Sequence, residues 1–190
     1  MKAKLLALLL LVIPAFAGAS GGFFTSFEGG GAFVAGPHNL NDDSTGLYDT
    51  ARGSAAAGWS FYEWADIYAG AGFAVFFDRT DRESHYSFVP LFAGLRANIM
   101  PQWVVFPSLF GEAGVSFANR HEKVFDMMSM SYADTDRPYE AFYYNFGLSV
   151  NYRINNKALL GLKVSRLSFS LPERGELHAV CAGLEVKVLY

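Results

Sequence analysis

The chain has 190 residues, 15 basic against 18 acidic side chains, and an apolar fraction of 52% with 18 Phe, 10 Tyr and 3 Trp. That length suits one domain, and the acidic balance argues against a nucleic-acid partner. The single Cys181 excludes an intramolecular disulfide framework.

The N-terminus reads MKAKLLALLLLVIPAFAGAS: Lys2 and Lys4, an apolar run from Leu5, then small residues. This is the layout of a secretory signal peptide over residues 1–19, with cleavage between Ala17 and Ser20. The apolar run breaks at Pro14, too short for a membrane-spanning helix. Removing the leader takes two lysines away, leaving 13 basic against 18 acidic groups and a formal charge of −5. Residues 20–190 are then one exported domain, aromatic, glycine-rich and without a helix-length apolar segment.

Along that domain the hydrophobic pattern alternates with period two, the signature of strands exposed to different media on their two faces. Eight such runs are predicted, near 22–36, 52–63, 66–78, 86–99, 102–118, 139–154, 157–170 and 175–190. In FYYNFGLSVNYRI one face holds Phe142, Tyr144, Phe146, Leu148, Val150 and Tyr152, and the other holds Tyr143, Asn145, Gly147, Ser149, Asn151 and Arg153. The connections alternate in length. Polar loops such as PHNLNDDSTGLYDTA and NRHEKVFDMMSMSYADTDRP sit on one side, and turns at Glu63–Asp66, Met100–Gln102 and Asn155–Asn156 on the other. That rhythm predicts an all-β, eight-stranded, antiparallel up-and-down barrel.

A soluble sandwich would point the apolar face inward; a transmembrane barrel points it at lipid and keeps a polar lumen. The less apolar face carries Gly30, Gly58, Gly70, Gly72, Gly94, Gly114, Gly147, Gly161 and Gly183, which fits a crowded narrow interior. It also carries Glu28, Arg96, Glu112, Asn145, Arg153, Lys163, Glu185 and Lys187, predicted to form a polar network in the lumen. Glu112 with Arg96 is one pairing expected there. Phe76, Phe92, Phe106, Phe110, Tyr62, Tyr68 and Tyr143 point the same way and would plug an eight-stranded lumen. On the apolar face, Trp64, Trp103, Tyr152 and Tyr190 fall beside the short turns, and Phe33, Phe77, Phe117, Phe142 and Tyr144 beside the long loops. These are two interfacial aromatic girdles.

The terminal run LEVKVLY, with Leu184, Val186, Val188 and Tyr190 at alternate positions, resembles the C-terminal signal of bacterial outer-membrane proteins. The resemblance implies recognition by the barrel-assembly machinery. In overall pattern the chain is similar to the small eight-stranded barrels, the OmpA transmembrane domain, OmpX and the OmpW group. That likeness implies residence in the outer membrane of a Gram-negative-type bacterium, in contact with outer-membrane lipid.

The common hydrolase and metal signatures are absent. His85 and Ser87, in SHYSF, lie on one strand face, and the H-Y-S triplet resembles that of outer-membrane lipid A 3-O-deacylases. Phe88 stands where that family has an Asn, and the triplet falls on the fourth strand rather than late in the chain. His38 and His121 are expected in loops and His178 at the outer rim of the last strand. Asp42, Asp43 and Asp49 do not match a calcium loop. The Met-rich stretch with Val124, Phe125, Met127 and Met128 either meets a partner or folds over the mouth. The expectation is a non-enzymatic protein without cofactor or metal. Its role is structural or lies in surface loops that meet a host or envelope partner, with a small OmpW-like channel as the alternative and a lipid A-modifying enzyme as the remote one.

Overall fold

Period-two alternation becomes eight antiparallel strands: β1 (Gly21–Val34), β2 (Thr50–Phe61), β3 (Ala65–Phe77), β4 (His85–Asn98), β5 (Val105–Asp126), β6 (Ser131–Asn155), β7 (Ala158–Leu171) and β8 (Gly175–Leu189). The computed structural model describes residues 21–34, 50–61, 63–77, 85–126, 131–171 and 175–190. The leader segment, His38, Asp42, Asp43, Asp49, Tyr62, Met127 and Met128 lie outside the described residues. Each strand pairs with the next and β8 pairs with β1, so the sheet closes. Closure gives every strand two hydrogen-bonded neighbours, which lipid requires of any backbone that crosses it.

Following paired residues once around the barrel runs Phe23, Trp59, Ile67, Leu95, Gly111, Phe146, Arg166, Val180 and back to β1 at Phe33. The return is from residue 23 to residue 33, a stagger of ten. With strands tilted about 40° and rising about 3.3 Å per residue, ten residues climb roughly 25 Å, the height of the apolar band on such barrels. The exposed aromatic side chains mark both edges of that band. Trp64, Trp103, Tyr152 and Tyr190 lie at the short-turn end, and Phe33, Phe77, Phe117 and Phe142 at the loop end. Leu184 and Val186 are exposed between them on β8, in line with Val188 and Tyr190.

Two boundaries differ from the sequence reading. The segment read as the longest loop is mostly paired: β5 and β6 continue as a two-stranded ribbon from Asn119–Pro138 to Asp126–Ser131. Past the apolar band neither face of a strand has lipid to meet, so the apolar alternation that marks the lipid-facing strands is lost there. Of Val124 and Phe125 only the backbone, within β5, is described. At the other end β5 starts at Val105 rather than 102, because the chain is still turning. The Trp103 amide donates to the Met100 carbonyl, and Met100 itself has a φ of 53°.

Inside, large and small residues alternate around the wall. Tyr68 is flanked by Gly58 on β2 and Gly94 on β4, and Phe92 by Gly70 on β3 and Gly114 on β5. A methyl group at Gly94 would fall 2.5–2.8 Å from atoms of the Tyr68 ring. Gly94→Val is therefore expected to displace that ring and to destabilise the barrel by about 1–3 kcal/mol. Gly29→Ala, on the outer face with nothing within 4 Å of the added carbon, should change stability by less than about 0.5 kcal/mol. Urea unfolding of the vesicle-inserted protein measures both.

Candidate functional site

The lumen divides into three zones along the barrel axis. At the short-turn end a neutral cluster forms around Ser108, whose hydroxyl donates to the Asn98 side-chain carbonyl at 2.8 Å and accepts from the Asn151 amide at 2.7 Å. Asn98 in turn donates to the Glu63 backbone carbonyl at 2.7 Å. Below it a vestibule of about 310 Å³ opens between the turns, lined by Ser60, Asn98, Phe106, Arg153 and Lys187 among others.

The middle zone is ionic. Four acids, Glu28, Asp66, Glu112 and Glu185, face four bases, Arg52, Arg96, Lys163 and Lys187, and their side chains are almost fully shielded from solvent. Arg96 Nη2 donates to both Glu185 oxygens at 2.6 and 2.8 Å, and Lys187 Nζ donates to Asp66 Oδ2 at 2.7 Å. The Ser60 hydroxyl takes the other Asp66 oxygen at 2.6 Å. Glu28 receives Arg52 on one oxygen and Lys163, at 2.7 Å, on the other. Glu112 accepts from Tyr68 OH at 3.1 Å, Tyr143 OH at 2.8 Å and Asn145 Nδ2 at 2.8 Å, with Lys163 Nζ 3.7 Å away. Aromatic faces line the cations: Lys163 lies 4.1 Å from the Phe110 centroid and Lys187 4.0 Å from that of Phe24. Equal charge and hydrogen bonds on both oxygens of each acid make this burial tolerable, since a lone charge there would be costly.

The loop end is apolar. Phe88 and Phe169 stack with centroids 4.0 Å apart, Phe76 packs edge-on against both, and all three have no exposed surface. Tyr86 and Tyr139 pack on Phe88 from above, and Leu167 and Leu177 complete the layer.

Of the residues expected in the network, seven sit within this buried lumen: Glu28, Arg96, Glu112, Asn145, Lys163, Glu185 and Lys187. Arg153 does not join them. It lies at the rim of the vestibule, donating to the Pro101 carbonyl and to Glu63 Oε2 at 3.1 Å. A register shift between Arg153 and Asn155 marks where β6 leaves the ladder. Arg96 pairs with Glu185 rather than Glu112, because Glu185 lies across the lumen while the oxygens of Glu112 are occupied by two tyrosines and an amide. Arg52 and Asp66 were missed; each opens its predicted strand, yet both share the inward phase of Gly58 and Tyr68, and Asp66 pairs in register with Ser60 and Arg96.

The histidines lie elsewhere. His85 is on the outer face, its ring 5.1 Å from that of His121 and 6.0 Å from Phe77, and the Ser87 hydroxyl points to the Asn119 carbonyl at 3.4 Å. His121 belongs to the ribbon rather than to a loop, with Nδ1 2.9 Å from Asp136 Oδ1. His178 bonds Ser168 at 2.7 Å and lies 3.4 Å from Glu176, near the loop end of the outer face.

No protein-family model matches the chain, and no curated protein matches it by sequence. Solved structures match it in fold. Neisserial surface protein A, from Neisseria, superimposes with a TM-score of 0.60 at 12% identity, over 90% of this chain and 99% of its own. Ail, the attachment invasion locus protein of Yersinia pestis, gives 0.50 at 11% identity over 88% and 97%. The N-terminal β-barrel domain of Pseudomonas aeruginosa OprF gives 0.49 at 16% over 90% and 100%. This chain has the fold of the small eight-stranded outer-membrane β-barrels.

Two measurements test the electrostatics. Arg96→Met leaves Glu185 without its bidentate partner and should cost about 3–5 kcal/mol in urea unfolding, of which the double variant with Glu185→Gln recovers a large part. Asp136 stands six residues beyond Phe142 on β6, roughly 15 Å outside the apolar band. Its hydrogen bond with His121 holds its pKa below the ordinary 3.8. The folded value is the lower one, so the pair supports the ribbon above the ordinary carboxylate pKa and its support fades as pH falls through the folded value. A carboxyl-carbon NMR titration of Asp136, repeated in His121→Ala, should show the midpoint rise towards the ordinary value in the variant.

Proposed function

We propose that this chain is an integral outer-membrane barrel with a structural lumen, and that its working surface is the loop end, dominated by the β5–β6 ribbon. The observation that carries this reading is the Phe76–Phe88–Phe169 layer lying across the lumen above a fully paired ionic zone. A polar path for ions would need hydrated charges along its length; here the charges bond one another and a buried aromatic layer follows. The ribbon extends nine residues past Phe117 on β5, a projection of roughly 20 Å from the band. It carries the polar groups with which a host or envelope partner would make contact. The Leu184, Val186, Val188 and Tyr190 face is the surface we assign to the assembly machinery.

A narrow channel is the second reading, favoured by the vestibule of about 310 Å³ that reaches Ser60 and Lys187 from the short-turn end. Planar-bilayer recording of the folded protein separates the two. The structural reading expects no discrete openings at any voltage; reproducible single-channel steps in the unmodified protein would overturn it.

A further inference from the structure

Between the two aromatic girdles the outward side chains of all eight strands are apolar or small, with one exception. Arg166 on β7 is exposed there, and among the described residues it is the single Asp, Glu, Lys or Arg on that face. Its cross-strand neighbours are Phe146 and Val180, and its neighbours along the same face of β7 are Val164 and Ser168. Among the described residues no carboxylate pairs with it. On the path around the barrel it stands two strands before Phe33, which places it roughly 6 Å below the loop-end girdle. A cation at that depth is costly and needs an anionic partner, and the sheet supplies none. A phosphate in the adjoining headgroup layer lies within reach of a guanidinium, which binds it bidentately.

A second feature starts at the same residue. An open groove of about 790 Å³ runs from Val180 and Arg166 past Phe146 and Val164 to Leu109 and Leu148. Its floor is Gly111, where an added side-chain carbon would touch nothing within 4 Å. The groove is shallow and open along its length, so its occupant lies on the wall rather than inside it. Arg166 stands towards the loops, and the outward side chains of Val164, Leu148, Leu109 and Leu95 continue the groove towards the bilayer centre, the polarity of a lipid standing in the outer leaflet; Asp66 and Arg96, which also border it, belong to the lumen network.

We propose that Arg166 and this groove hold one phosphate-bearing lipid of the outer leaflet, the phosphate on the guanidinium and an acyl chain along Gly111. The proposal rests on the outer-membrane reading but not on a silent lumen, so conductance and lipid binding fail separately. Native mass spectrometry of the purified protein in detergent, with bisphosphorylated lipid A as probe, tests it. The unmodified barrel should retain one lipid A. Arg166→Gln, removal of both phosphates from the probe, and Gly111→Leu should each weaken retention at least about tenfold. Arg166→Lys should keep most of it, and millimolar inorganic phosphate should not compete. Both sites face outward, and heat-modifiable gel migration confirms that each variant is folded. Retention unchanged in Arg166→Gln, or equal for the phosphate-free lipid, overturns the headgroup contact; unchanged retention in Gly111→Leu overturns the groove; displacement by inorganic phosphate overturns the lipid as the ligand.

Discussion

Everything in this molecule follows from the hydrogen-bonding demand of a backbone in hydrocarbon. A strand that enters lipid must have a partner on both edges, because no water is present to take an unpaired amide or carbonyl. Eight strands with a stagger of ten satisfy that demand at the cost of a narrow interior. The narrow interior then dictates its own contents. It is too polar in sequence for a purely apolar core. It is filled by rings set against glycines and by charges set against charges.

The pairing within the lumen is collective. Glu28 is shared by Arg52 and Lys163, Lys163 lies between Glu28 and Glu112, and Arg96 reaches Glu185 while approaching Asp66 at 4.0 Å. Removing one member therefore disturbs more than one bond. Between the aromatic layer and the neutral amide cluster the charged side chains are almost fully shielded from solvent, so Coulomb attraction is strong and an unmatched charge is correspondingly expensive.

Strand number, face assignment and girdles were legible because each is a property of a single strand: Phe142 to Tyr152 declares its phase without reference to any neighbour. Pairing was less legible, since alternation gives the phase of each strand but not the stagger between strands. Arg96 and Glu112 looked like partners from neighbouring strands, whereas Glu185 of β8 meets the guanidinium from across the narrow lumen. The ribbon was read as a loop because Pro138 and the charges around it carry no lipid-facing alternation, though it still pairs in register. Arg166 passed unnoticed for the opposite reason. One charge in an otherwise apolar face barely changes the pattern, and its significance appears only when the whole outer surface is assembled.

The span of the lumen contacts along the chain bears on how the barrel comes into being. Lys163 reaches Glu28 across 135 residues, Lys187 reaches Asp66 across 121, and Arg96 reaches Glu185 across 89. Glu28 has Arg52 of the neighbouring strand from the start, but its second cation, Lys163, comes with β7, and Lys187, the hydrogen-bonded partner of Asp66, comes with β8, the strand that supplies the last backbone partners for β1. Seam closure and completion of the ionic network thus fall to the same last hairpin. A half-built barrel bears both an unpaired edge and an incomplete ionic network, and so has reason to stay at the membrane surface until its final hairpin is in hand.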